Sequence, residues 1–289
     1  MSRVLVIESD NPISRAIGNA LTGWNFPMEY AAGHAEALNK LRMKSFGVVV
    51  TCPESTVEED LALLGEMRTI RPGVKCIVLA KHSTPDAVIA AIRARVFACF
   101  TPPFDAEEIA NMACSAASES EWRDDIQILS ARPGWVSVRV NCRLLTAERI
   151  INFARELTSR LPEDARTEDA RTEVIQAFRE ILLNAMEHGA AFNPEQVVEI
   201  TAVRTARSVA IYVRDPGAGF KRESLTHAAI ANPEDPAAHI VEREAAGMRP
   251  GGFGMLLAAG TVDELIYNEI GNEALLIKYL DPVEASAGA

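Results

Sequence analysis

Phe178-Arg-Glu-Ile-Leu-Leu-Asn-Ala-Met-Glu-His-Gly189 decides the fold of the second half of this chain. Glu180, Asn184 and His188 recur every four residues, so on a helix they stack along one face. Ile181, Leu182, Leu183, Ala185 and Met186 are apolar enough to bury the rest of it. A carboxylate and a carboxamide one turn apart on a buried helix are costly unless something polar lies between them. A metal ion with its waters, or a phosphate chain carrying one, meets that need. Gly189 is expected to stop the helix, as a C-terminal glycine tends to. Taken alone, a Glu/Asn/His face at this spacing is more often a solvated polar stripe. Its weight comes from two glycine clusters downstream.

The first cluster is Val209-Ala-Ile-Tyr-Val-Arg-Asp-Pro-Gly-Ala-Gly-Phe220. Residues 209–213 read as a short buried strand, and Pro216, Gly217 and Gly219 force an irregular turn. Asp215, at the strand end, can accept a hydrogen bond from an exocyclic amine such as that of adenine; equally it can cap a Pro-Gly turn. The second cluster is Arg249-Pro-Gly-Gly-Phe-Gly-Met255, ahead of the apolar run Leu256-Leu-Ala-Ala259. Glycines before a helix leave N–H groups open at its positive end, where phosphate binds. No Gly-Lys-Ser/Thr follows and no G-x-G-x-x-G opens a βαβ unit, so neither common nucleotide loop is present.

In this order, Glu-x3-Asn-x3-His-Gly, Asp-x-Gly-x-Gly and Gly-Gly-x-Gly resemble the ATP-binding fold shared by histidine kinases and DNA gyrase (GHKL), an α+β sandwich. The finer resemblance is to the anti-sigma-factor serine kinases of bacterial partner-switching systems, whose N-box helix carries a similar Glu-x3-Asn-Ala-x2-His-Gly. Gly251-Gly-Phe-Gly-Met, Val262-Asp-Glu-Leu and Gly271-Asn-Glu-Ala-Leu-Leu-Ile-Lys are similar to that subgroup as well. The resemblance covers residues 135–281. It implies ATP and Mg²⁺ as cofactors. By the same resemblance Asn184 binds the Mg²⁺ that holds the phosphates, and Glu180 is the general base toward a substrate hydroxyl or orients a water. Asp215 takes the adenine amine, and Gly217 and Gly219 let the chain pass close to the base. Gly251, Gly252 and Gly254 cradle phosphates. Segment 220–250 is the lid, with Arg243 and Arg249 in or beside it; either can neutralise phosphate charge, and Arg243 is equally a solvated arginine. The implied protein partner is an antagonist-type domain or a sigma factor, and homodimers are common among such proteins.

The chain of 289 residues allows about two domains. It carries a net charge of −11, of which residues 1–118, with 11 Lys+Arg against 13 Asp+Glu, contribute −2. No basic stripe is present, which argues against direct nucleic-acid binding. The acidic second half needs Mg²⁺ and backbone dipoles to attract polyphosphate. No apolar run reaches the roughly 20 residues that span a bilayer, and Met-Ser-Arg-Val-Leu-Val-Ile reads as a strand rather than a signal peptide. Cys52, Cys76, Cys99, Cys114 and Cys142 are scattered, which fits reduced thiols in the cytoplasm.

Residues 1–120 alternate strands and helices: strands at 4–7, 48–51, 76–80 and 98–101, and helices at 11–21, 85–95 and 106–117. This predicts an α/β, doubly wound parallel sheet. The order resembles a response-regulator receiver domain, with Val-Leu-Val-Ile at the start, Phe46-Gly-Val-Val-Val-Thr-Cys-Pro and Thr101-Pro-Pro-Phe-Asp as landmarks. The departures matter more. Where receivers carry an acidic pair, this chain has Glu8-Ser9, with Asp10 next. The phosphorylated Asp falls on Cys52, the Lys on Pro102, and the switch hydroxyl on Ala80. A thiol cannot form an aspartyl phosphate, and one carboxylate makes a poor Mg²⁺ site. The resemblance therefore implies a pseudo-receiver used for docking or dimerisation. A redox role for Cys52 would require a depressed thiol pKa. Residues 121–134 are expected as linker, 135–282 as the ATPase-like domain and 283–289 as a tail.

Three functions compete. The first is a serine/threonine protein kinase of the partner-switching type. The second, a histidine kinase, needs a phosphoacceptor His on a helical hairpin, and none of His34, His82, His188, His227 or His239 lies where one would fit. The third is an ATP-gated binding module without phosphotransfer.

Overall fold

The computed structural model describes residues 3–8, 10–119, 125–132, 134–158, 165–220 and 254–280. They belong to two compact units. One comprises Met1–Asp124 with Asn152–Ser159, the other Asp125–Ile151 with Arg160–Ala289.

The first unit runs β1 (Val4–Ile7), α1 (Pro12–Gly23), β2 (Met28–Ala31), α2 (His34–Met43), β3 (Val48–Val50), α3 (Val57–Ile70), β4 (Lys75–Leu79), α4 (Pro85–Arg93), β5 (Ala98–Phe100) and α5 (Ala106–Ser118). Its sheet is parallel throughout, in the order β2-β1-β3-β4-β5. This is the expected doubly wound, receiver-like sheet, with its switch point between β1 and β3. β1, β3, β4 and β5 are buried at every position. Helices on both faces explain why these strands are apolar almost throughout, Lys75 at the start of β4 excepted. Most of the helix starts are fixed by a side-chain cap. Asn11 accepts from Ile13 N, Asp105 from Glu107 N, and Thr56 with Glu59 forms a capping box. β2, α2 and α3 are elements the sequence pattern did not separate. β2 is an edge strand buried only at Ala31. α3 opens on Glu58, Glu59 and Asp60, which mimic a polar loop yet favour a helix N-terminus. At the opposite edge, the N–H of Cys99 donates to Asn152 Oδ1 at 3.0 Å, and Thr101 Oγ1 donates to Glu156 at 2.7 Å. The side chains of Asn152 and Glu156 thus complete the β5 edge.

The second unit contains β6 (Ile126–Arg132), β7 (Trp135–Asn141), the start of α6 (Leu144–Thr158), α7 (Ala165–Asn184), β8 (Val197–Arg204), β9 (Ser208–Arg214), α8 (Gly254–Thr261), β10 (Glu264–Tyr267) and β11 (Glu273–Tyr279). Six strands form one antiparallel sheet, ordered β10-β11-β9-β8-β7-β6. Alternate residues turn inward: Val136, Val138, Val140; Val198, Ile200; Val209, Ile211, Val213; Ala274, Leu276. α7 packs on β9 and β11, and α8 on α7. The result is the expected α+β sandwich. The stretch expected as linker contains β6. Gln127, Ser130 and Arg132 make this edge strand polar, with only Ile126 buried, so its composition imitates a loop.

Candidate functional site

α7 buries Val174, Ala177, Phe178, Ile181 and Leu182 and leaves Glu180 and Asn184 half-buried one turn apart. The expected shared face therefore exists for this pair. His188 departs from it. Ala185–Gly189 is a π-helical turn, which closes i→i+5 bonds and breaks the four-residue register, and His188 is exposed. The helix does end at Gly189, with Ala190 as its cap, but not through a left-handed glycine. The chain turns at Ala191 and Phe192, at φ 51° and 49°, while Phe192 N donates to Met186 O at 2.8 Å. Two non-glycine residues in the left-handed region cost about 1–2 kcal/mol each. Gly189 has a different reason to be glycine. A Cβ there would collide with the carboxyl of Asp215.

Asp215 follows β9 directly. Its N–H donates to Asn272 O at 3.0 Å, and its Oδ1 accepts from Gly217 N at 2.8 Å. A Cβ on Gly217 would stand 2.8 Å from both Asp215 Oδ1 and Gly189 Cα. The end of the N-box helix and the first glycine turn therefore interlock around one carboxyl. Burial raises the pKa of that carboxyl, opposed by the Gly217 N–H. Burial, with the Asp215 charge second, pushes the Cys142 thiol up to about 11. Gly219, at φ 74°, lies against the Ile270 carbonyl, a position no side chain could share. Phe220 meets Tyr267 edge-on, ring centres 5.2 Å apart. One residue missed by the sequence reading organises this corner. Asn268 Oδ1 accepts from Gly271 N at 2.7 Å, Asn272 N at 3.1 Å and Glu273 N at 3.2 Å. Asn268 with Gly271 and Asn272 is the turn signal that could have found it.

Gly254, the first residue of α8, brings the third motif to the first. A Cβ on it would lie 2.6 Å from Glu180 Oε2 and 3.8 Å from Asn184 Nδ2. Arg179 donates to Glu180 Oε1 at 3.3 Å. Among the described residues the Asn184 side chain has no hydrogen-bond partner. Arg243, Arg249, Gly251, Gly252 and the expected lid from 221 onward lie outside the described residues.

In the first unit, the crevice at the switch point holds Glu8 and Cys52 instead of a cluster of carboxylates. The Cys52 thiol donates to Glu8 Oε2, and Glu8 reaches it from φ 65°. Burial first, and this hydrogen bond second, push the thiol up to about 12. That is opposite to what a redox-reactive thiolate needs. Among the described residues no group of three or more His, Cys, Asp or Glu is placed to hold a metal ion, and no helix is long and apolar enough to cross a membrane.

Comparison with known proteins gives matches to parts of this chain. Residues 144–278 match the family model of a histidine kinase-like ATPase domain. Over 106 residues, 37% of this chain, it is 22% identical to the transcriptional regulatory protein ZraR of Klebsiella oxytoca. That match spans only 24% of the relative's length. Among solved structures, a response regulator from Thermotoga maritima is 24% identical, covering 41% of this chain and 99% of that one, with a TM-score of 0.37. A CheY-like receiver domain protein from Methanospirillum hungatei is 20% identical, covering 40% and 92%, with a TM-score of 0.36.

Proposed function

We propose that this chain is an ATP-binding signalling protein whose second unit is a serine/threonine protein kinase of the partner-switching type, carrying a receiver-like unit that cannot be phosphorylated. The observation that supports it most is the convergence of three distant motifs. Gly254 closes on Glu180 and Asn184, while Gly189 and Gly217 close on Asp215. Five free thiols suit a reducing cytoplasm.

In this reading Asp215 accepts the adenine amine, with Gly217 and Gly219 keeping its approach open. Asn184 offers an amide oxygen without a competing partner among the described residues, which fits a hard cation such as Mg²⁺. Bound there, Mg²⁺ would neutralise charge on the phosphates. Gly251, Gly252 and Gly254, with Arg249, hold the phosphate chain at the start of α8. Glu180 takes the proton of the partner's hydroxyl as that oxygen attacks the γ-phosphorus; the bond to the β-phosphate oxygen breaks and ADP leaves. The hydroxyl belongs to an antagonist-type protein domain, and a sigma factor is the other candidate partner.

The test is transfer of labelled γ-phosphate to a cognate partner. Glu180→Ala should abolish transfer while ATP binding survives. ATP–Mg²⁺ binding with no partner ever labelled would replace the kinase with an ATP-gated binding module.

A further inference from the structure

The first unit contains a buried acid that the proposed function does not use. Asp60, in the first turn of α3, is 0% exposed. Thr51 Oγ1 donates to its Oδ2 at 2.6 Å and itself accepts from Leu79 N at 2.9 Å. Ser55 Oγ lies 2.9 Å from Asp60 Oδ1 and 2.6 Å from Cys52 O, with Leu79 O at 3.4 Å. These distances allow a count of protons. A hydroxyl carries one proton, yet Ser55 Oγ makes two short contacts to oxygens. If its proton goes to Cys52 O, a bare carboxylate oxygen would face a bare hydroxyl oxygen at 2.9 Å. A proton on Asp60 Oδ1 removes the conflict. Asp60 then donates to Ser55, Ser55 donates to Cys52 O, and Thr51 donates to Asp60, so every short contact has its hydrogen.

We propose that Asp60 is held as a neutral carboxylic acid whose proton fastens the β3–α3 loop, residues 52–55, and that losing this proton releases the loop. On deprotonation the proton leaves Oδ1 for solvent. The single Ser55 proton is then drawn to the carboxylate, because a charge-assisted hydrogen bond is roughly twice as strong as a neutral one. Cys52 O keeps only its bond from Ser55 N, at 3.2 Å.

The surrounding charges agree. Burial pushes the Asp60 carboxyl up to about 7, while the Thr51 and Ser55 hydroxyls pull it down and Glu59 on α3 adds to the rise. Cys76 on β4 and Cys99 on β5 face it as thiols held well above their ordinary range, mainly by burial. The nearby cations are engaged elsewhere. Lys81 pairs with Glu54 at 3.3 Å, and Arg68 binds the carbonyls of Ala94 and Arg95. The loop it fastens carries Cys52, at the switch-point crevice of the sheet, so the fastened state also fixes the thiol against Glu8.

The test uses the full-length chain. Carbon-13 NMR of the Asp60 carboxyl between pH 4 and 9 should show a midpoint near neutrality; a carboxyl already ionised by about pH 5, as an ordinary Asp of pKa about 3.9 is, overturns the proposal without any mutation. Hydrogen exchange at Ser55, corrected for intrinsic rates, should lose protection by roughly tenfold in the unmodified chain between pH 6 and 8. In Asp60→Asn, whose amide supplies the same donor at every pH, that loss should vanish. Equal pH responses in the two proteins would also defeat the idea.

Discussion

Each unit sets polar side chains at a crevice, and the two sets are finished in opposite ways. In the first unit Glu8 accepts a hydrogen bond from the Cys52 thiol, and the buried Thr51 and Ser55 hydroxyls both bond Asp60. Among the described residues these groups spend their hydrogen bonds on one another. In the second, Glu180 and Asn184 stay half-buried, and the amide of Asn184 finds no partner among the described residues. Glycines at 189, 217 and 254 keep side-chain bulk away from these groups and from Asp215. A buried polar group must be satisfied, by its neighbours or by something that arrives. The first crevice takes the former course and serves as structure. The second keeps hydrogen-bonding capacity in reserve, which is what a binding site needs.

The sharpest way to break this contrast is at Glu180. Glu180→Gln should lower γ-phosphate transfer by about 10²–10⁴-fold, the usual worth of a general base, and leave ATP affinity nearly unchanged in a nucleotide-binding titration. An unchanged rate would make Glu180 another self-satisfied structural carboxylate, paired with Arg179.

The next effect lies in the first crevice. The folded pKa of Asp60, about 7, lies above the unfolded value of about 3.9. Between those values the native state holds a proton that the unfolded chain releases. Stability is therefore highest below the lower value, falls as pH rises through that window, and is level above it. The fall amounts to at most about 4 kcal/mol. Denaturant melts of Asp60→Asn should lack this slope, so the variant should gain on the unmodified chain as pH rises. Parallel pH profiles would show that Asp60 is charged in the fold.

Asp215 gives a smaller change. Asp215→Ala removes the proposed acceptor for the adenine amine, which leaves a buried donor unpaired at about 1–3 kcal/mol. ATP binding should weaken by roughly 5- to 150-fold on that figure, with GTP, which lacks that amine, affected less. Equal losses for both nucleotides would reduce Asp215 to a turn residue.

Legibility in the sequence followed the same divide. Elements with unbroken apolar runs, such as Val4–Ile7 and residues 76–79 of β4, could be read because helices cover both faces of their sheet. Edge strands β2 and β6 could not, since solvent on one side lets them carry loop-like residues. At the site, spacing along a helix sufficed to pair Glu180 with Asn184. It could not foresee the π turn that removes His188 from their face, because the chain leaves that turn through Ala191 and Phe192 in costly left-handed conformations that their side chains give no hint of. The contact between Gly189 and Asp215 joins residues 26 apart in the chain. Only the folded sheet sets that distance. The Asp60 network was illegible for a related reason: Thr51, Ser55 and Asp60 are ordinary loop and cap residues until burial removes their water.

The smallest predicted effect tests what fastens loop 52–55. Lys81 and Glu54 form an ion pair across it at 3.3 Å, both side chains 59% exposed. In water such a pair gains little, because the solvent screens it and two long side chains must be held still. Lys81→Ala should change stability by less than about 0.5 kcal/mol and leave the protection of Ser55 as it was. The buried hydroxyl and carboxyl contacts would then be what holds the loop. If Lys81→Ala instead frees the loop as fully as raising the pH does, the fastening lies in solvent-exposed charge. The first crevice would then be no more self-contained than the second.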